Sequence, residues 1–231
     1  FKPTFGRFSM KGILPFAQSL DTLGFFTHTA ADMRVLWQAL DLDEDVAVAN
    51  VFGAPSPMPP VDPLMATAFH EALVALQQAG VSIRFINIER MLATLADATH
   101  VVMCYEGARF HQQRYEEHGE RLADLGELVQ AGLQIPESRY DAARRYIDAC
   151  KQKVADLYGA MPVMLVPAAT GPAPEGLAST GDPTMNAPWT ALGTPAISIP
   201  LKTTGLPVGL QLIARRGEDD KLLQIARYIL P

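Results

Sequence analysis

Two histidines in the middle of the chain are candidates for chemistry, because imidazole groups ligate transition metals. His111 and His118 are seven residues apart in a segment predicted to be helical, with Glu106 and Glu116 nearby. A seven-residue interval does not bring two side chains to one metal ion without help from other elements. We therefore favour a solvated helix face for these residues and expect neither a bound metal nor a cofactor.

Cys104 is a candidate nucleophile, since a cysteine hydrolase needs an exposed thiol close to a base. It follows His100 and the apolar pair Val101 and Val102. Free cysteines are among the most buried residue types, so a buried position at the edge of a helix or strand is the favoured interpretation. Catalysis by Cys104 is kept as a third hypothesis for the function.

Ser19 and Asp21, in the segment Gln-Ser-Leu-Asp-Thr beside Gly24, could hold a loop in place. Short polar side chains of this kind often accept hydrogen bonds from exposed backbone N–H groups. No base accompanies Ser19 in the sequence, so we favour this structural role over direct chemistry. The chain also lacks a nucleophile elbow, a phosphate-binding loop, a dinucleotide fingerprint and paired metal-ligand motifs.

The segments on either side of Asp62 predict a parallel strand–helix–strand unit. Val46–Val51 is a short apolar run, and Asp62 followed by Pro63 offers an N-cap and a first helical residue. Gly80 supplies a helix stop, and Val81–Ile88 is typical of a strand. The apolar positions of the helix recur at helical spacing: Leu64, Met65, Phe69, Leu73 and Leu76.

Two further helices are predicted from capping and periodicity. Thr29 and Asp32 have the spacing of a capping box and lead into a short helix, Met33–Leu40, which carries Trp37. A longer helix ends at Gly159 and should bury Cys150 in the core. Its apolar stripe consists of Tyr140, Ala143, Ile147, Cys150, Val154 and Leu157.

The last third of the chain combines apolar strands with a long polar loop. Met161–Val166 is apolar throughout, which is typical of a strand covered on both faces of a sheet. Ala168–Pro183 is rich in Gly, Pro, Ser and Thr, and long ordered loops often carry function. Ala196–Pro200 and Val208–Ala214 predict two more strands. A closing helix then starts with Asp219 or Asp220 as its cap and carries Leu222, Leu223, Ile225, Ala226 and Ile229.

Composition favours a single globular domain over residues 1–231, since no linker or internal repeat divides the chain. A formal charge of −6, without clustered Lys and Arg, argues against nucleic acid as a ligand. No apolar run reaches the roughly 18 residues of a membrane span, so we expect no membrane partner. Two cysteines and no recognisable signal peptide favour the cytoplasm. The chain starts at Phe1 rather than Met, from which we expect truncation or processing.

Two stretches resemble the amidase-signature family. The first comprises Lys2-Pro-Thr, Gly6, Ser9, Gly12, Pro15 and Ser19-Leu-Asp-Thr-Leu-Gly24. The second comprises Gly181-Asp-Pro-Thr-Met-Asn-Ala-Pro-Trp-Thr-Ala-Leu-Gly-Thr-Pro-Ala-Ile-Ser-Ile-Pro200 and Gly205-Leu-Pro-Val-Gly-Leu-Gln211. The order and spacing of both extend the resemblance over nearly the whole chain, while the helical middle matches loosely.

The resemblance implies an α/β fold with three layers, α/β/α, around a mixed β-sheet that is incomplete at its N-terminal side. It also implies hydrolysis of carboxamides by a Ser, cis-Ser, Lys triad through an acyl-serine intermediate. Members of the family carry those residues upstream of the Lys-Pro-Thr segment, which here begins at Lys2. No residue of this chain is therefore assigned a catalytic role, and the chain alone is expected to be inactive.

The same resemblance implies four substrate-binding residues near the C-terminal motif. Asn186, Trp189 and Thr190 would lie on the segment that closes the acyl pocket, with Asp182 and Gly181 on its rim. Trp189 has an equally weighted alternative as a buried core residue. The glycines and prolines of Gly193-Thr-Pro and Gly205-Leu-Pro are expected to set turns.

The leading hypothesis is an amidohydrolase that acts on a small-molecule carboxamide. A non-catalytic amidase-like module for binding or assembly is the alternative, because it would share every motif quoted. Missing strands would leave an apolar sheet edge that another chain or segment has to cover. We therefore expect a homo-oligomer or association with the missing N-terminal segment.

Overall fold

A computed structural model describes residues 1–40 and 50–229 of the chain. The strands of this part are β1 Val51–Pro55, β2 Ser82–Ile86, β3 Val163–Pro167, β4 Ala196–Pro200 and β5 Gly209–Ala214. The α-helices are α1 Ala30–Ala39, α2 Pro63–Gln78, α3 Glu89–His118, α4 Asp124–Leu133, α5 Glu137–Ala160, α6 Ala187–Leu192 and α7 Asp219–Tyr228. Two short 3-10 helices cover Gly119–Leu122 and Pro183–Met185.

The five strands form one mixed sheet in the order β2-β1-β3-β5-β4. β1 is parallel to β2 and to β3, whereas β5 is antiparallel to both β3 and β4. The predicted parallel unit around Asp62 is therefore confirmed as β1, α2 and β2. β1 shares only Val51 with the predicted apolar run Val46–Val51, of which positions 46–49 lie outside the described residues, and β2 is shorter than the predicted strand Val81–Ile88.

α2 begins and ends where its sequence predicts. The Asp62 carboxylate accepts a hydrogen bond from the Leu64 N–H at 2.8 Å, and Pro63 occupies the first turn. Gly80 follows the helix with a φ of +90°, a conformation that only glycine adopts without strain. Of the predicted apolar stripe, Leu64 is half-buried and the other members are buried: Met65, Phe69, Leu73 and Leu76.

β3 lies at the centre of the sheet and all five of its residues are buried, as its apolar sequence predicts. Val163 and Leu165 pack towards α1, α2 and α7, while Met164 and Val166 pack towards α3, α5 and α6. This alternation gives the strand two apolar faces and requires a layer of helices on each side. The α/β/α arrangement around a mixed sheet is confirmed.

The predicted apolar stripe of α5 is confirmed, and Cys150 within it is a core residue that is 1% exposed. The helix continues to Ala160, one residue beyond the predicted stop at Gly159. The predicted capping box of α1 is also confirmed, since the Thr29 hydroxyl accepts from the Asp32 N–H and the Asp32 carboxylate accepts from the Thr29 N–H.

The predicted cap of α7 is wrong. Its N-cap is Glu218, without a side-chain hydrogen bond, and Asp219 and Asp220 lie in the first turn instead. Both carboxylates are buried: Asp219 bonds to Thr4, and Asp220 accepts from the Trp37 indole N–H at 2.8 Å. Both carboxylates are engaged by residues distant in sequence, and neither caps the helix.

The outer edge of β4 carries a minimal pairing. In the described part of the chain, Lys2 and Ala196 form an isolated bridge with two backbone hydrogen bonds of 2.8 Å, and no further strand pairs there. At the opposite edge, β2 is largely exposed and Phe85 is 56% exposed. None of the described helices is both long and apolar enough to span a membrane.

Candidate substrate-binding site

The candidate site lies at one end of the strands, where the carboxyl ends of β3 and β4 are next to the start of β5. Pro167 is opposite Leu210, and Pro200 is opposite Gly209. The predicted binding loop, Ala168–Pro183, follows β3 at this end of the sheet and lines an open cleft of about 580 Å³. In α/β proteins ligands bind outside the carboxyl ends of strands, which makes this cleft the first candidate.

Asp182 and Asn186 line this cleft and are both exposed. The Asp182 carboxylate accepts a hydrogen bond from the Thr184 N–H at 2.9 Å and so fixes the start of the short helix Pro183–Met185. The Asn186 side-chain amide donates to the Ala168 carbonyl at 3.2 Å. This bond ties the start of α6 to the first residue after β3.

A second cleft of about 220 Å³ adjoins the first, because Asn186 and Ser198 line both. Thr190 is half-buried in this smaller cleft, together with Gln211 and Lys2. The structure thus brings three of the four predicted residues to the two clefts: Asp182, Asn186 and Thr190. A carboxamide has one acceptor and up to two donor hydrogens, which the amide and hydroxyl groups of such residues can bind.

Trp189 lines neither cleft. It is 2% exposed and belongs to the core between the sheet and the helices α3, α5 and α6. Gly193 ends α6 with a φ of +68°, as expected of a turn glycine, and directs the chain into β4. The surroundings of Trp189 are those of a core residue, and its role in substrate binding stays a prediction.

Gln211 and Ser198 lie in the second amidase-like stretch, but sequence reasoning assigned neither of them to the site. Gln211 is 5% exposed, and its side-chain amide donates to the Met185 carbonyl at 3.1 Å, just before Asn186. A polar residue inside the apolar strand Gly209–Ala214 was the available signal, since a buried amide must find a partner. Gln211 therefore helps to position the helix start that carries Asn186.

Lys2 is a largely buried cation beside the smaller cleft. Its ammonium group donates to the backbone carbonyls of Thr194 and Pro3. Burial lowers the pKa of Lys2 to about 8, and the nearby Asp219 carboxylate opposes that shift. Lys2 holds the first residues of the chain against the turn between α6 and β4.

Asp21 and Ser19 both hold the loop in place. Asp21 does so through backbone N–H groups, as predicted, whereas Ser19 makes a contact that was not predicted. The Asp21 carboxylate accepts from the N–H groups of Phe16 and Ala17 at 2.8 and 3.1 Å. The Ser19 hydroxyl donates instead to the Glu106 carboxylate at 2.7 Å, and the Ser19 N–H donates to the same group at 3.0 Å. A distant glutamate on α3, rather than the backbone, is the partner of Ser19.

Tyr140 shares the Glu106 carboxylate. Its hydroxyl donates to Glu106 at 2.8 Å, and its ring stacks on that of Tyr105 at 4.2 Å. Burial, with the contact to Glu106, raises the pKa of Tyr140 to about 12. Glu106 is thus occupied in holding a loop and two helices together, away from the two clefts.

Cys104 is buried, as predicted, with 4% of its surface exposed. His100 lies one helical turn away, with its Nε2 atom 3.5 Å from the thiol sulfur. Burial raises the pKa of the Cys104 thiol, which disfavours the thiolate that a nucleophile requires. A base is present but an exposed thiol is not, which disfavours the hypothesis of a Cys104 hydrolase.

The prediction of a solvated helix face is wrong for His111. This residue is 3% exposed and packs against the rings of Phe16 and Phe110, because the loop before Ser19 covers this face of α3. Burial, with the neighbouring Arg114, lowers the pKa of His111. His118 is exposed as expected. Within residues 1–40 and 50–229, no three His, Cys, Asp or Glu side chains are placed to hold a metal ion.

Comparison with known proteins assigns the chain to a family. The Amidase family model matches residues 44–223. The chain is 26% identical to a glutamyl-tRNA(Gln) amidotransferase subunit of Thermus thermophilus, and equally to the corresponding protein of a Synechococcus species. In both cases the alignment covers 97% of this chain and 58% of the relative.

Solved structures agree with this assignment. A crystal structure of an amidase has a TM-score of 0.88 and 27% identity, over 99% of this chain and 56% of the other. The 6-aminohexanoate cyclic dimer hydrolase complexed with its substrate shares the fold, with a TM-score of 0.75 at 20% identity, over 99% of this chain and 59% of the other. The chain thus spans somewhat less than three-fifths of the length of these relatives, and it belongs to the amidase-signature family.

Proposed function

We propose that this chain is part of an amidohydrolase that cleaves the C–N bond of a small carboxamide. The observation that carries the proposal is the pair of adjoining clefts at the carboxyl ends of β3 and β4. It is lined by Asp182, Asn186 and Thr190, and most of the chain that builds it matches the Amidase family model. The chain forms one domain together with polypeptide beyond these 231 residues.

The reactive groups in this proposal come from polypeptide outside the chain. A neutral lysine, acting through a middle serine, accepts the proton of the nucleophilic serine, whose oxygen attacks the carbonyl carbon. The C–N bond breaks as the leaving nitrogen takes a proton, and ammonia or an amine departs. Water then attacks the acyl-serine ester, which releases the acid and restores the serine. Backbone N–H groups stabilise the negative oxygen in both steps.

The described residues supply the wall that receives the amide. Asn186 is exposed between the two clefts and can offer both a donor and an acceptor to the substrate. Thr190 adds a hydroxyl group in the smaller cleft, and Asp182 lies on the rim of the larger one. In this arrangement Trp189 contributes through packing in the core rather than by direct exposure to the cleft.

The unpaired edge of β4 supports association with further polypeptide. Beyond the bridge between Lys2 and Ala196, the outer edge of β4 is not hydrogen-bonded to another described strand, and an open strand edge favours pairing with another segment. The segment that would carry the serines and the lysine is the proposed occupant, and a second copy of the chain is the other candidate. We propose the cytoplasm as the compartment and neither nucleic acid nor membrane as a direct partner.

An assay of the protein that contains this chain and its remaining polypeptide tests the proposal. We expect ammonia release from small aliphatic or aryl amides, and replacement of Asn186 by Ala should lower kcat/KM about tenfold, the effect of one lost hydrogen bond. Gln113→Ala is the matched control, because this exposed amide lies on α3 and lines neither cleft. Turnover that is equal in both variants would contradict the assigned binding wall.

A non-catalytic amidase-like module predicts a different outcome of the same assay. Such a protein would bind amides or assemble with partners without releasing ammonia. Binding of a small amide that depends on Asn186, in the complete absence of turnover by the whole protein, would favour the module over the enzyme.

A further inference from the structure

A second site is indicated at the other end of the strands, on the opposite side of the molecule from the substrate clefts. β5 ends there at Ala214, next to Val163 at the start of β3, and a cleft of about 640 Å³ opens beside it. Four basic residues line this cleft: Arg7, Lys151, Arg215 and Arg216. They come from three distant parts of a chain whose net charge is −6, so their convergence is not a consequence of overall composition.

The positive charge of this basic cleft is only partly neutralised. Lys151 pairs with the Asp148 carboxylate at 2.9 Å. In the part of the chain that the structure describes, Arg7, Arg215 and Arg216 form no ion pair with a carboxylate. Arg216 donates to the Phe5 carbonyl at 3.2 Å, and the Arg7 guanidinium lies 5.7 Å from the centre of the Trp37 ring. Neither contact balances a charge.

Among the described residues, the one acidic side chain that lines the basic cleft is already bonded. The Asp219 carboxylate accepts hydrogen bonds from the Thr4 N–H at 2.8 Å and the Thr4 hydroxyl at 2.5 Å. Among the described residues, four basic side chains and one acidic side chain thus line the cleft, an excess of positive charge that a bound anion would offset.

An independent observation comes from Tyr158, which lines the same cleft. Its hydroxyl oxygen is buried and has no hydrogen-bond partner among the described residues. Burial raises the pKa of Tyr158, so the hydroxyl stays protonated and remains a donor. Buried polar groups are nearly always hydrogen-bonded, and an unpaired one calls for a missing partner.

We propose that the basic cleft binds a small molecule through an oxyanion, a phosphate or carboxylate group. Guanidinium groups bind both with paired hydrogen bonds, and Arg7 and Arg215 are free to do so. The anion also supplies an acceptor for the Tyr158 hydroxyl, which is buried in the free chain and is reached only when the wall of the cleft rearranges around the bound group. The volume is that of a typical small-molecule site. This site is separate from the substrate clefts and does not depend on the proposed amidase function.

Thermal unfolding of the whole protein that contains this chain tests this inference. Its Tm is measured with increasing inorganic phosphate or succinate, and chloride holds the ionic strength constant. We expect a saturable rise of Tm with at least one of the two anions. Arg215→Gln and Arg7→Gln should each weaken the apparent affinity about tenfold, the loss of one charge-assisted pair. Arg145→Gln is the matched control, since this exposed arginine of α5 does not line the cleft.

Tyr158→Phe separates a ligand contact from a packing defect. We expect the variant to be at least as stable as the parent without anion and to bind the anion about threefold more weakly or worse. The inference is overturned if neither anion raises Tm saturably, or if the three arginine variants respond alike. An unchanged affinity in Tyr158→Phe would remove Tyr158 from the site.

Discussion

Buried polar contacts join the first four residues of the chain to its last helix. Asp219 is 1% exposed and bonds to both the backbone and the hydroxyl of Thr4, 215 residues away. The Thr4 hydroxyl also accepts from the Gly217 N–H at 2.9 Å, and Lys2 binds the Thr194 carbonyl nearby. The Lys-Pro-Thr motif is therefore a structural tie that places the start of the chain beside the smaller cleft.

Lys2 makes this tie dependent on pH. Its pKa is about 8 in the folded chain, against 10.5 in a solvated lysine, so the unfolded chain binds more protons between these values. Stability contributed at this position must then rise with pH across that interval. We therefore compare the unfolding free energies of the parent chain and of Lys2→Met. Between about pH 8 and pH 10, the parent chain should gain about 1 to 2 kcal/mol of stability relative to the variant.

Denaturant unfolding at several pH values measures this difference. The comparison with Lys2→Met is essential, because other groups titrate in the same range and cancel only in the difference. A difference that stays flat, or that moves against the parent chain, would show that Lys2 is not held in a desolvated position.

At the scale of elements, α3 and α4 pack through a glycine contact. A Cβ atom added to Gly132 of α4 would lie 2.1 Å from the Cys104 carbonyl oxygen and 2.6 Å from the Ala108 Cβ on α3. Both obstacles belong to the rigid part of a helix, so one helix would have to move. The absence of a side chain at Gly132 sets the distance between these two helices.

Gly132→Ala should therefore destabilise the chain by about 2 kcal/mol, the usual cost of overpacking, despite the better helix propensity of Ala. Gly159→Ala is the matched control, since a Cβ atom there meets nothing within 4 Å in the helical end of α5. We expect that substitution to be neutral or to stabilise by up to about 1 kcal/mol. Equal denaturation midpoints for the two variants would contradict the close packing of α3 on α4.

Local signals predicted the elements that bury a single apolar stripe better than the helix that contacts several neighbours. The cap at Asp62, the stripe of α5 around Cys150 and the apolar sequence of β3 each contain their own evidence, and all three are confirmed. α3 contacts α4, α5, α6 and the loop near Phe16 along its length, so its buried face changes from turn to turn. That is why His111 is buried although nothing in its local sequence predicts it.

The candidate site could be predicted only in part for the same reason. Asn186 and Thr190 were assigned from the motif that ends at Pro200. Ser198 lies in the same motif and Gln211 in the next, but only the pairing of β4 with β5 places these two at the clefts. Lys2 enters through its bridge to Ala196. Contacts between strands distant in sequence depend on register, which periodicity does not encode.

For the whole molecule, fold, length and sheet edge support one account. The chain has a layer of helices on each face of the sheet around β3, spans 58% of its Thermus thermophilus relative, and leaves the outer edge of β4 paired only at Lys2 among the described residues. These observations support the proposal that the nucleophile of the reaction lies in polypeptide outside this chain.

Labelling of the whole protein with a fluorophosphonate, which reacts covalently with activated serines, tests this account most directly. Peptide mapping by mass spectrometry then locates the modified residue. We predict a single labelled serine in polypeptide outside these 231 residues, and no label on the isolated chain. Stoichiometric labelling of a serine within the chain, such as Ser19 or Ser198, would contradict the account.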